Sequence, residues 1–419
     1  MTAMRAVILS IGDELVLGQA VDTNSAWLSE QLTDLGVYVI QHIGVGDDKT
    51  SIRAVLEQAG QAADLLLVTG GLGPTDDDLT RHVLADLLGT ELQLHQSSLD
   101  HIDTIFSRMG RVPSERNRIQ AMIPRGATAI HNPAGTAAGL AAEYENCRMV
   151  FMPGVPREMK AMFEQEILPQ LTHLLDQQRA RQVIRVRRLQ VFGLSESAMA
   201  EQLGDLMERG RNPLLNCNVS AGIITLKLMA QAESELLAQQ LNDDLEQQVR
   251  RRLGQRIYGI DGQSLAKIVG ELLLRNKATL ATAESCTGGM LGAELTNVPG
   301  SSNYYLGGWV CYANEFKSQQ LDVAAESLNR HGAVSEVIAG ELADNARRRS
   351  GAHYALTITG IAGPGDGGPN KPVGLVYIGL AGPDVKKVLK LQSAGDREFV
   401  RRRSVYAALD LLRVELQRL

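Results

Sequence analysis

The hydrophobic positions in the first part of the chain alternate between continuous apolar runs and helical stripes. "RAVILSIG" (5–12) is a continuous run, which is typical of a strand buried on both faces of a parallel sheet. "DTNSAWLSEQLTDLG" (22–36) then places large apolar residues at helical spacing. The apolar runs "DLLLVTGG" and "CRMVFMPG" continue the alternation. The pattern predicts a doubly wound α/β domain over residues 1–170.

Two further patterns divide the rest of the chain. Residues 171–255 contain strand-like runs such as "VIRVRRLQVFG" and "GIITLKLMA" beside helical stretches, which predicts a small α+β module. From residue 256 onward, the amphipathic "SLAKIVGELLLRN", the runs "TLATAE" and "YALTITG", and an apolar-striped terminal helix predict a second α/β domain over 256–419. The predicted fold class is therefore α/β, with three domains.

Composition and charge narrow the class of protein. The chain has 44% hydrophobic and 21% charged residues and a net charge of −6, which indicates a globular protein with no global attraction to nucleic acid or anionic membranes. Gly12, Asp13 and Glu14 interrupt the N-terminal apolar run, and no stretch reaches about 20 apolar residues. The four cysteines lack CxxC spacing, which argues against structural zinc and a disulfide framework. We therefore expect a cytoplasmic protein without a membrane span.

The densest basic run lies in the middle module. It consists of Arg179, Arg181, Arg185, Arg187 and Arg188. A nucleic-acid strip is one interpretation, but the module shows neither an aromatic stacking platform nor a GxxG loop. Solvated arginines on an edge strand, or arginines at a domain contact, are the interpretation that we favour, so we expect no nucleic-acid partner.

Three polar motifs directly follow predicted strands of the first domain. "GDELVLG", "TGGLGPTDDDLT" and "MPGVPREM" stand where strands end, and ligands of open α/β sheets bind in the crevice beyond those ends. Asp13, Glu14 and Glu158 contribute carboxylates to the same crevice. The sequence therefore predicts a ligand site at this edge of the sheet.

The central motif combines glycines with aspartates. Glycines let backbone amides approach an anionic group, whereas the aspartates would repel a bare phosphate unless a divalent cation bridged the two. Capping of the following helix is the alternative role for the aspartates. GxGxxG and the P-loop pattern are both absent from this motif, which argues against an NAD-type Rossmann site or a P-loop here. The residues concerned are Gly70, Gly71, Gly73, Asp76, Asp77 and Asp78.

These motifs resemble the CinA family (competence/damage-inducible protein A), and the resemblance covers essentially the whole chain. It implies a first domain similar to molybdopterin-binding and molybdopterin-adenylyltransferase domains, followed by a KH-like module. It also implies hydrolysis of ADP-ribose to AMP and ribose 5-phosphate with a divalent metal (Mg, Mn or Co) and K+. By the resemblance, Asp76, Asp77 and Asp78 bind metal or phosphate, and Gly71 and Gly73 bind substrate. There are two alternatives to these enzymatic functions. The first domain could bind molybdopterin, or the protein could be a regulatory or nucleic-acid-binding protein linked to competence or DNA damage.

The stretch "TLATAESCTGG" places Ser285 and Cys286 after a predicted strand and before two glycines. Amide hydrolysis needs a nucleophile, a base and donors for an oxyanion. Lys317 serves as a base if burial lowers its pKa, whereas His331 and His353 are candidates only if folding brings them close. Cys286 is the alternative nucleophile, although packing of a small buried side chain is its expected role.

Backbone amides at the start of the following helix are the expected oxyanion donors. We predict that the N–H groups of Thr287, Gly288 and Gly289 point into the space above Ser285.

The third domain has a resemblance of its own. "AESCTGG", "CYANEFK", "TGIAGPGDGG", "KPVG" and "AGDR" resemble the nicotinamide-nucleotide amidohydrolase (NMN deamidase) module, which occurs alone or at the C-terminus of CinA proteins. The resemblance implies conversion of nicotinamide mononucleotide (NMN) to nicotinate mononucleotide and ammonia, without a cofactor. It assigns Ser285, Lys317 and Tyr312 to catalysis and Thr359 and Gly360 to substrate binding.

Arg397 in "AGDR" suits a phosphate contact, because its guanidinium is planar and always charged. Together the two resemblances predict a bifunctional enzyme of pyridine-nucleotide salvage that acts on NMN and ADP-ribose. We expect it to form a homodimer.

Overall fold

The computed structural model describes residues 4–178, 183–368 and 371–418. Arg179 and Arg181 of the basic run lie outside the described residues. The chain divides into two compact units, one formed by residues 1–185 and 231–238 and the other by 186–230 and 239–419. In the part of the chain that is described, every helix is too short or too polar to cross a lipid bilayer.

The first unit contains strands that alternate with helices, followed by short antiparallel strands. Its elements are β1 (Arg5–Ile11), α1 (Asp13–Val16), α2 (Thr23–Asp34), β2 (Tyr38–Val45), α3 (Lys49–Ala62), β3 (Leu65–Thr69), α4 (Thr80–Leu88), β4 (Leu92–Leu94), α5 (Gln96–Arg108), α6 (Glu115–Arg118), β5 (Met122–Pro124), β6 (Thr128–Ile130), β7 (Gly139–Tyr144), β8 (Cys147–Met152), α7 (Pro156–Met162) and α8 (Leu168–Gln178).

The main sheet of this unit has the order β2-β1-β3-β8-β7-β6. Strands β2, β1, β3 and β8 are parallel, and β7 and β6 are added as antiparallel neighbours. Successive residues of β1 face opposite sides: Val7 packs in the core with α3 and α4, and Ile8 packs in the core with α2 and α7. This two-sided burial confirms the predicted doubly wound architecture and places the carboxyl ends of β1, β3 and β8 at one edge.

The middle sheet has the order β10-β11-β9-β12. Because β9 lies between two other strands, the expectation that the arginines occupy an edge strand is wrong. Arg187, on this strand, pairs with Asp243 at 2.5 Å and Glu246 at 2.7 Å, so its charge is neutralised within the fold. The elements are β9 (Val183–Phe192), α9 (Glu196–Leu203), β10 (Leu214–Ser220), β11 (Ile223–Ala232), α10 (Glu235–Leu253) and β12 (Ile257–Ile260).

The last part of the chain forms a five-stranded sheet with helices on its faces. Its elements are α11 (Leu265–Arg275), β13 (Leu280–Glu284), α12 (Met290–Thr296), β14 (Tyr305–Val310), α13 (Asn314–Leu321), α14 (Ala325–His331), α15 (Glu336–Ser350), β15 (Tyr354–Gly360), β16 (Leu375–Ala381), β17 (Lys386–Gln392) and α16 (Arg397–Leu416).

The strand order β14-β13-β15-β16-β17 makes β13 an inner strand. Strands β14, β13 and β15 are parallel, while β16 and β17 run antiparallel. The three parallel strands therefore end at the same edge of the sheet. Helices α13 and α14 were not predicted, because α13 has only Lys317 and Leu321 buried and so shows no apolar stripe in sequence.

Candidate active site

Ser285 lies directly beyond the carboxyl end of β13. Its backbone N–H donates to the carbonyl of Ile358 in β15 at 2.9 Å, and the Cys311 N–H donates to the carbonyl of Glu284 at 2.8 Å. These bonds continue the sheet pairing past the end of each strand. They bring the ends of β13, β14 and β15 together, so the predicted residues Ser285, Tyr312 and Thr359 share one edge.

Residues 285–289, here called the serine turn, connect β13 to α12. Gly288 and Gly289 have φ values of 59° and 94°, which side chains larger than hydrogen disfavour. The Glu284 carboxylate, which is 2% exposed, accepts the N–H groups of Gly289, Leu291 and Gly292 at 3.1, 3.0 and 2.9 Å. The glycine pair therefore permits a sharp turn, and Glu284 fixes the first turn of α12. Glu284 was not recognised in the sequence analysis.

Lys317 reaches Ser285 from α13. Its side chain is buried, and Nζ lies 3.3 Å from the Ser285 Oγ, 2.9 Å from the Cys311 carbonyl oxygen and 3.1 Å from the Tyr312 carbonyl oxygen. Burial lowers the pKa of the Lys317 ammonium below its ordinary value. A neutral amine donates two N–H groups and keeps one lone pair. The charged ammonium donates to the Ser285 Oγ and to both carbonyls, whereas a neutral amine that keeps its two bonds to the carbonyls has the lone pair left for the Ser285 proton.

The other candidate nucleophile and base lie in less favourable surroundings. Burial raises the pKa of the Cys286 thiol to about 11, so the thiol is protonated at neutral pH. His353 bonds to the Thr279 N–H at 3.1 Å, just before β13 begins, and therefore lies at the opposite end of the strands from Ser285. Among the described residues, Lys317 is the side chain that hydrogen-bonds Ser285.

Two of the three predicted oxyanion donors are engaged elsewhere. The Gly288 N–H donates to the Ser285 carbonyl at 3.0 Å, and the Gly289 N–H donates to Glu284, so the prediction for these two glycines is wrong. The Thr287 N–H has no acceptor within the described part of the chain, and the Cys286 N–H has none apart from the sulfur of its own side chain. The turn therefore offers a different pair of donors, from Cys286 and Thr287.

Arg397 and Tyr312 contact each other near the glycine-rich loop. Arg397 donates to the Tyr312 hydroxyl at 3.2 Å and to the Gly363 carbonyl at 2.5 Å. The Tyr312 side chain is 60% exposed, and its carbonyl rather than its ring touches Lys317. The tyrosine hydroxyl therefore contacts the exposed arginine, and no hydrogen bond within the described residues joins it to Ser285 or Lys317.

The residues at the end of β15 have structural partners of their own. The Thr359 hydroxyl is buried and donates to the Ala333 carbonyl at 2.8 Å. A side chain at Gly360 would meet the Val376 Cγ2 at 2.6 Å and the Leu375 oxygen at 2.9 Å. Packing against β16 therefore explains why a glycine is needed at position 360, and the hydrogen bond to Ala333 explains the threonine at position 359. Neither explanation requires a contact with substrate.

In the first unit, the Asp78 carboxylate turns back into the glycine loop. It accepts the Gly73 N–H at 2.6 Å, the Thr75 N–H at 2.8 Å and the Thr75 hydroxyl. Buried Arg81 holds the other side of the loop by donating to the carbonyls of Gly73 and Leu72 at 3.0 and 2.5 Å. Asp78 therefore supports the loop rather than projecting as a metal ligand, and the Gly73 amide is not free for phosphate.

The carboxylates that do gather at this edge include one that the sequence analysis missed. Asp13 and Asp47 exchange hydrogen bonds, since each backbone N–H donates to the other's carboxylate, at 2.9 and 3.0 Å. Burial raises the pKa of Asp47, and the carboxylates of Asp13, Asp77 and Glu14 raise it further. Crowded carboxylates suit a divalent cation, although the described residues contain no group of three or more His, Cys, Asp or Glu arranged to hold one. Mg²⁺ commonly binds through one or two carboxylates plus substrate phosphates, so these residues fit such an ion.

Three protein families match consecutive parts of the chain. The "Probable molybdopterin binding domain" matches residues 7–173, the "Damage-inducible protein CinA KH domain" matches 186–259, and the "CinA C-terminal domain" matches 262–416. The chain is thus α/β, with a molybdopterin-binding-like domain, a KH-like middle and a CinA C-terminal domain.

Two relatives match this chain over nearly its whole length. A CinA-like protein of Trichodesmium erythraeum (strain IMS101) is 41% identical over 417 residues, which cover 99% of this chain and 97% of the relative. A protein of Clostridium novyi (strain NT), named as competence-damage inducible, is 39% identical and covered to 99% in both chains. A crystal structure of a competence-damaged protein (CinA) superfamily protein from Escherichia coli shares 33% sequence identity with this chain and has a TM-score of 0.35. The match covers 36% of this chain and 90% of the Escherichia coli chain. The chain belongs to the CinA family.

Proposed function

We propose that the C-terminal domain hydrolyses the carboxamide of NMN to give nicotinate mononucleotide and ammonia. The observation that carries this proposal is the buried Lys317 amine, 3.3 Å from the Ser285 hydroxyl and held by two carbonyls. A nucleophile within hydrogen-bond reach of a base with a lowered pKa is what acyl transfer from an amide requires. The activity and its substrate also follow the family resemblance.

The proposed reaction has two stages, in which an ester forms on the Ser285 Oγ and is then hydrolysed. Lys317 carries a proton in both stages. The Ser285 Oγ adds to the carboxamide carbon while its proton passes to the Lys317 amine. The C–N bond then breaks, the Lys317 ammonium returns the proton to the leaving nitrogen, and ammonia departs from an ester on Ser285. Water, deprotonated by Lys317, cleaves the ester to release the carboxylate and restore the serine.

Arg397 is the proposed contact for the 5′-phosphate. Its side chain is exposed, always charged and already oriented by Tyr312 and by the glycine-rich loop. Loss of this contact should raise KM for NMN far more than for nicotinamide riboside, which has no phosphate. Comparison of Arg397→Met on the two substrates tests the assignment, and an equal effect on both would contradict it.

Ammonia release by purified protein tests the main proposal. We expect turnover of NMN by wild type and by Cys286→Ala, and no turnover by Ser285→Ala. Activity should persist with a chelator, because no proposed step uses a metal. An active Ser285→Ala variant together with an inactive Cys286→Ala variant would assign the nucleophile to the cysteine instead.

We infer that the first domain hydrolyses ADP-ribose to AMP and ribose 5-phosphate. The crowding of Asp13, Asp47 and Asp77 at the edge of the sheet favours this second function, because a divalent cation offsets their repulsion. The bound cation would supply charge neutralisation for the pyrophosphate. Asp47 and Asp13 are the side chains that would hold it, K+ is a further proposed cofactor, and the nearby Asp77 would position the ion or the attacking water.

Product analysis with ADP-ribose tests this function separately. We expect AMP formation that stops with a chelator, returns with Mg²⁺, Mn²⁺ or Co²⁺, and falls sharply in Asp47→Asn. Chelator-insensitive AMP formation would exclude the metal role. Binding of molybdopterin without cleavage of ADP-ribose would favour the alternative function.

A further inference from the structure

Glu284 enters the serine turn from its amino-terminal side. A carboxylate that is 2% exposed is costly unless several donors satisfy it. Within the described residues, no cationic side chain pairs with the Glu284 carboxylate. The carboxylate instead accepts hydrogen bonds from three backbone N–H groups at the beginning of α12. Glu284 is the last residue of β13 and immediately precedes Ser285. Its backbone pairs within the sheet, while its carboxylate fixes where α12 begins.

Arg401 holds the turn from the other side. This residue of α16 donates from Nε to the Cys286 carbonyl at 3.1 Å and from Nη2 to the Thr287 carbonyl at 2.8 Å. In a trans peptide the C=O and the following N–H point in opposite directions. The contact with the Cys286 carbonyl therefore turns the Thr287 N–H away from Arg401.

The Glu284 carboxylate and the Arg401 guanidinium together determine which backbone N–H groups of the serine turn remain without an acceptor. Ser285 donates to Ile358, Gly288 donates to the Ser285 carbonyl, and Gly289 donates to Glu284. Only the amides of Cys286 and Thr287 remain without an acceptor on another described residue. An oxyanion hole needs donors that are not already bonded, so the arrangement leaves one adjacent pair for that role.

We propose that Glu284 and Arg401 are positioning residues for the deamidation, and this rests on the proposed function. They lock the peptide planes of the serine turn so that the N–H groups of Cys286 and Thr287 receive the developing oxyanion. Neither side chain touches the substrate. Their loss acts through the turn and lowers kcat, whereas KM, which reflects ground-state contacts such as Arg397, changes little.

Steady-state kinetics of Arg401→Ala on NMN is the first test. Loss of an oxyanion donor lowers kcat by about 100- to 1000-fold, and we expect a fall of that order with KM within about threefold. Guanidinium ion at millimolar concentration should restore part of kcat, and Arg401→Lys should retain more activity than Arg401→Ala. The control is Arg402→Ala on the same helix, whose guanidinium pairs with Glu398 in solvent at 2.8 Å and which should keep wild-type kinetics. A rise in KM alone, or unchanged kcat, would overturn the proposal.

Glu284→Gln is the matching change on the other side, because it keeps the size of the side chain and removes its charge. If this variant does not fold, the half-exposed Arg401 still decides the outcome. If it folds, we expect a loss of kcat comparable to that of Arg401→Ala. A folded Glu284→Gln variant with wild-type kcat would overturn its role.

Phosphonylation of Ser285 separates this proposal from the NMN activity. A fluorophosphonate probe reacts when the serine oxygen displaces fluoride from phosphorus, and its phosphoryl oxygen needs the same donors. Wild type should label at Ser285, and the Arg401→Ala variant should label about 100-fold more slowly. Labelling of a wild type that does not deamidate NMN would refute the substrate and keep the positioning role. Equal labelling rates, or no labelling of wild-type Ser285, would overturn the positioning role.

Discussion

Replacement of Lys317 by methionine removes the proposed base and keeps an unbranched side chain of similar length. General-base catalysis contributes about 100- to 10,000-fold in rate, or roughly 3–5 kcal/mol of transition-state free energy. Lys317 is the side chain that bonds Ser285 among the described residues, and its Nζ lies 3.3 Å from Oγ. We therefore expect Lys317→Met to lower kcat by a factor within that range, because no other side chain of the described residues hydrogen-bonds Ser285.

The pH dependence of the wild type supplies the sign of the effect. The base form of Lys317 is needed, so kcat/KM should rise with pH and level off above the pKa of this amine. Burial lowers that pKa, which places the rising limb below the ordinary lysine value of about 10.4. The limb should disappear in Lys317→Met.

The assay is ammonia release from NMN between pH 6 and about 10, the range over which a lowered lysine pKa titrates. Lys386→Met is the matched control, because Lys386 is exposed and pairs with Asp344 at 2.7 Å on the surface. Residues that act as a unit show non-additive losses, so Ser285→Ala with Lys317→Met should be no slower than Ser285→Ala alone. Wild-type kcat in Lys317→Met, or fully additive losses, would refute the dyad.

Three smaller predictions concern neighbouring residues. Tyr312→Phe removes the hydrogen bond to Arg397 but keeps the carbonyl that binds Lys317. The KM for NMN should therefore rise about fivefold, equivalent to roughly 1 kcal/mol, while kcat stays nearly constant. A large loss of kcat would assign the tyrosine hydroxyl to catalysis. Cys286 should resist iodoacetamide at neutral pH because its pKa is about 11, which peptide mass spectrometry checks, and rapid alkylation would contradict its burial. Asp78→Ala should destabilise the first unit by about 1–3 kcal/mol, whereas Asp76→Ala should change little. Because the chain has two tryptophans, Trp27 and Trp309, urea unfolding is followed by Trp27 fluorescence in a Trp309→Phe background. Equal effects of the two substitutions would contradict the loop role of Asp78.

The strands and the general location of both sites could be predicted from the sequence. β1, β3, β13 and β15 are short apolar runs that end in glycine or small polar residues, and that pattern is local. Because β13 and β15 are neighbouring parallel strands, Ser285 and Thr359 lie at the same edge of the sheet. The pairing of Lys317 with Ser285 came from the family resemblance, since nothing local in "NEFKSQQL" marks a buried lysine.

The residues that shape the turns could not be predicted, because their partners are backbone groups whose positions depend on how the chain folds, and for Arg401 these partners are also far away in sequence. Arg401 binds carbonyls 115 and 114 residues earlier. Arg81 plays a similar part in the first unit, where it binds the carbonyls of Leu72 and Gly73 while Asp78 binds amides of the same loop. Both glycine-rich turns are thus fixed by one carboxylate and one guanidinium. Sequence motifs mark the glycines of such turns but give no signal for the charges that hold them.

In the proposed mechanism, the Ser285 Oγ forms a covalent bond to the substrate. Rapid acid quench of the enzyme with NMN, followed by peptide mass spectrometry, tests it most directly. We expect a nicotinoyl nucleotide ester on the peptide that contains Ser285, assigned by fragmentation to the serine oxygen and absent from Ser285→Ala. An adduct on the Cys286 sulfur, or steady turnover by Ser285→Ala, would contradict it.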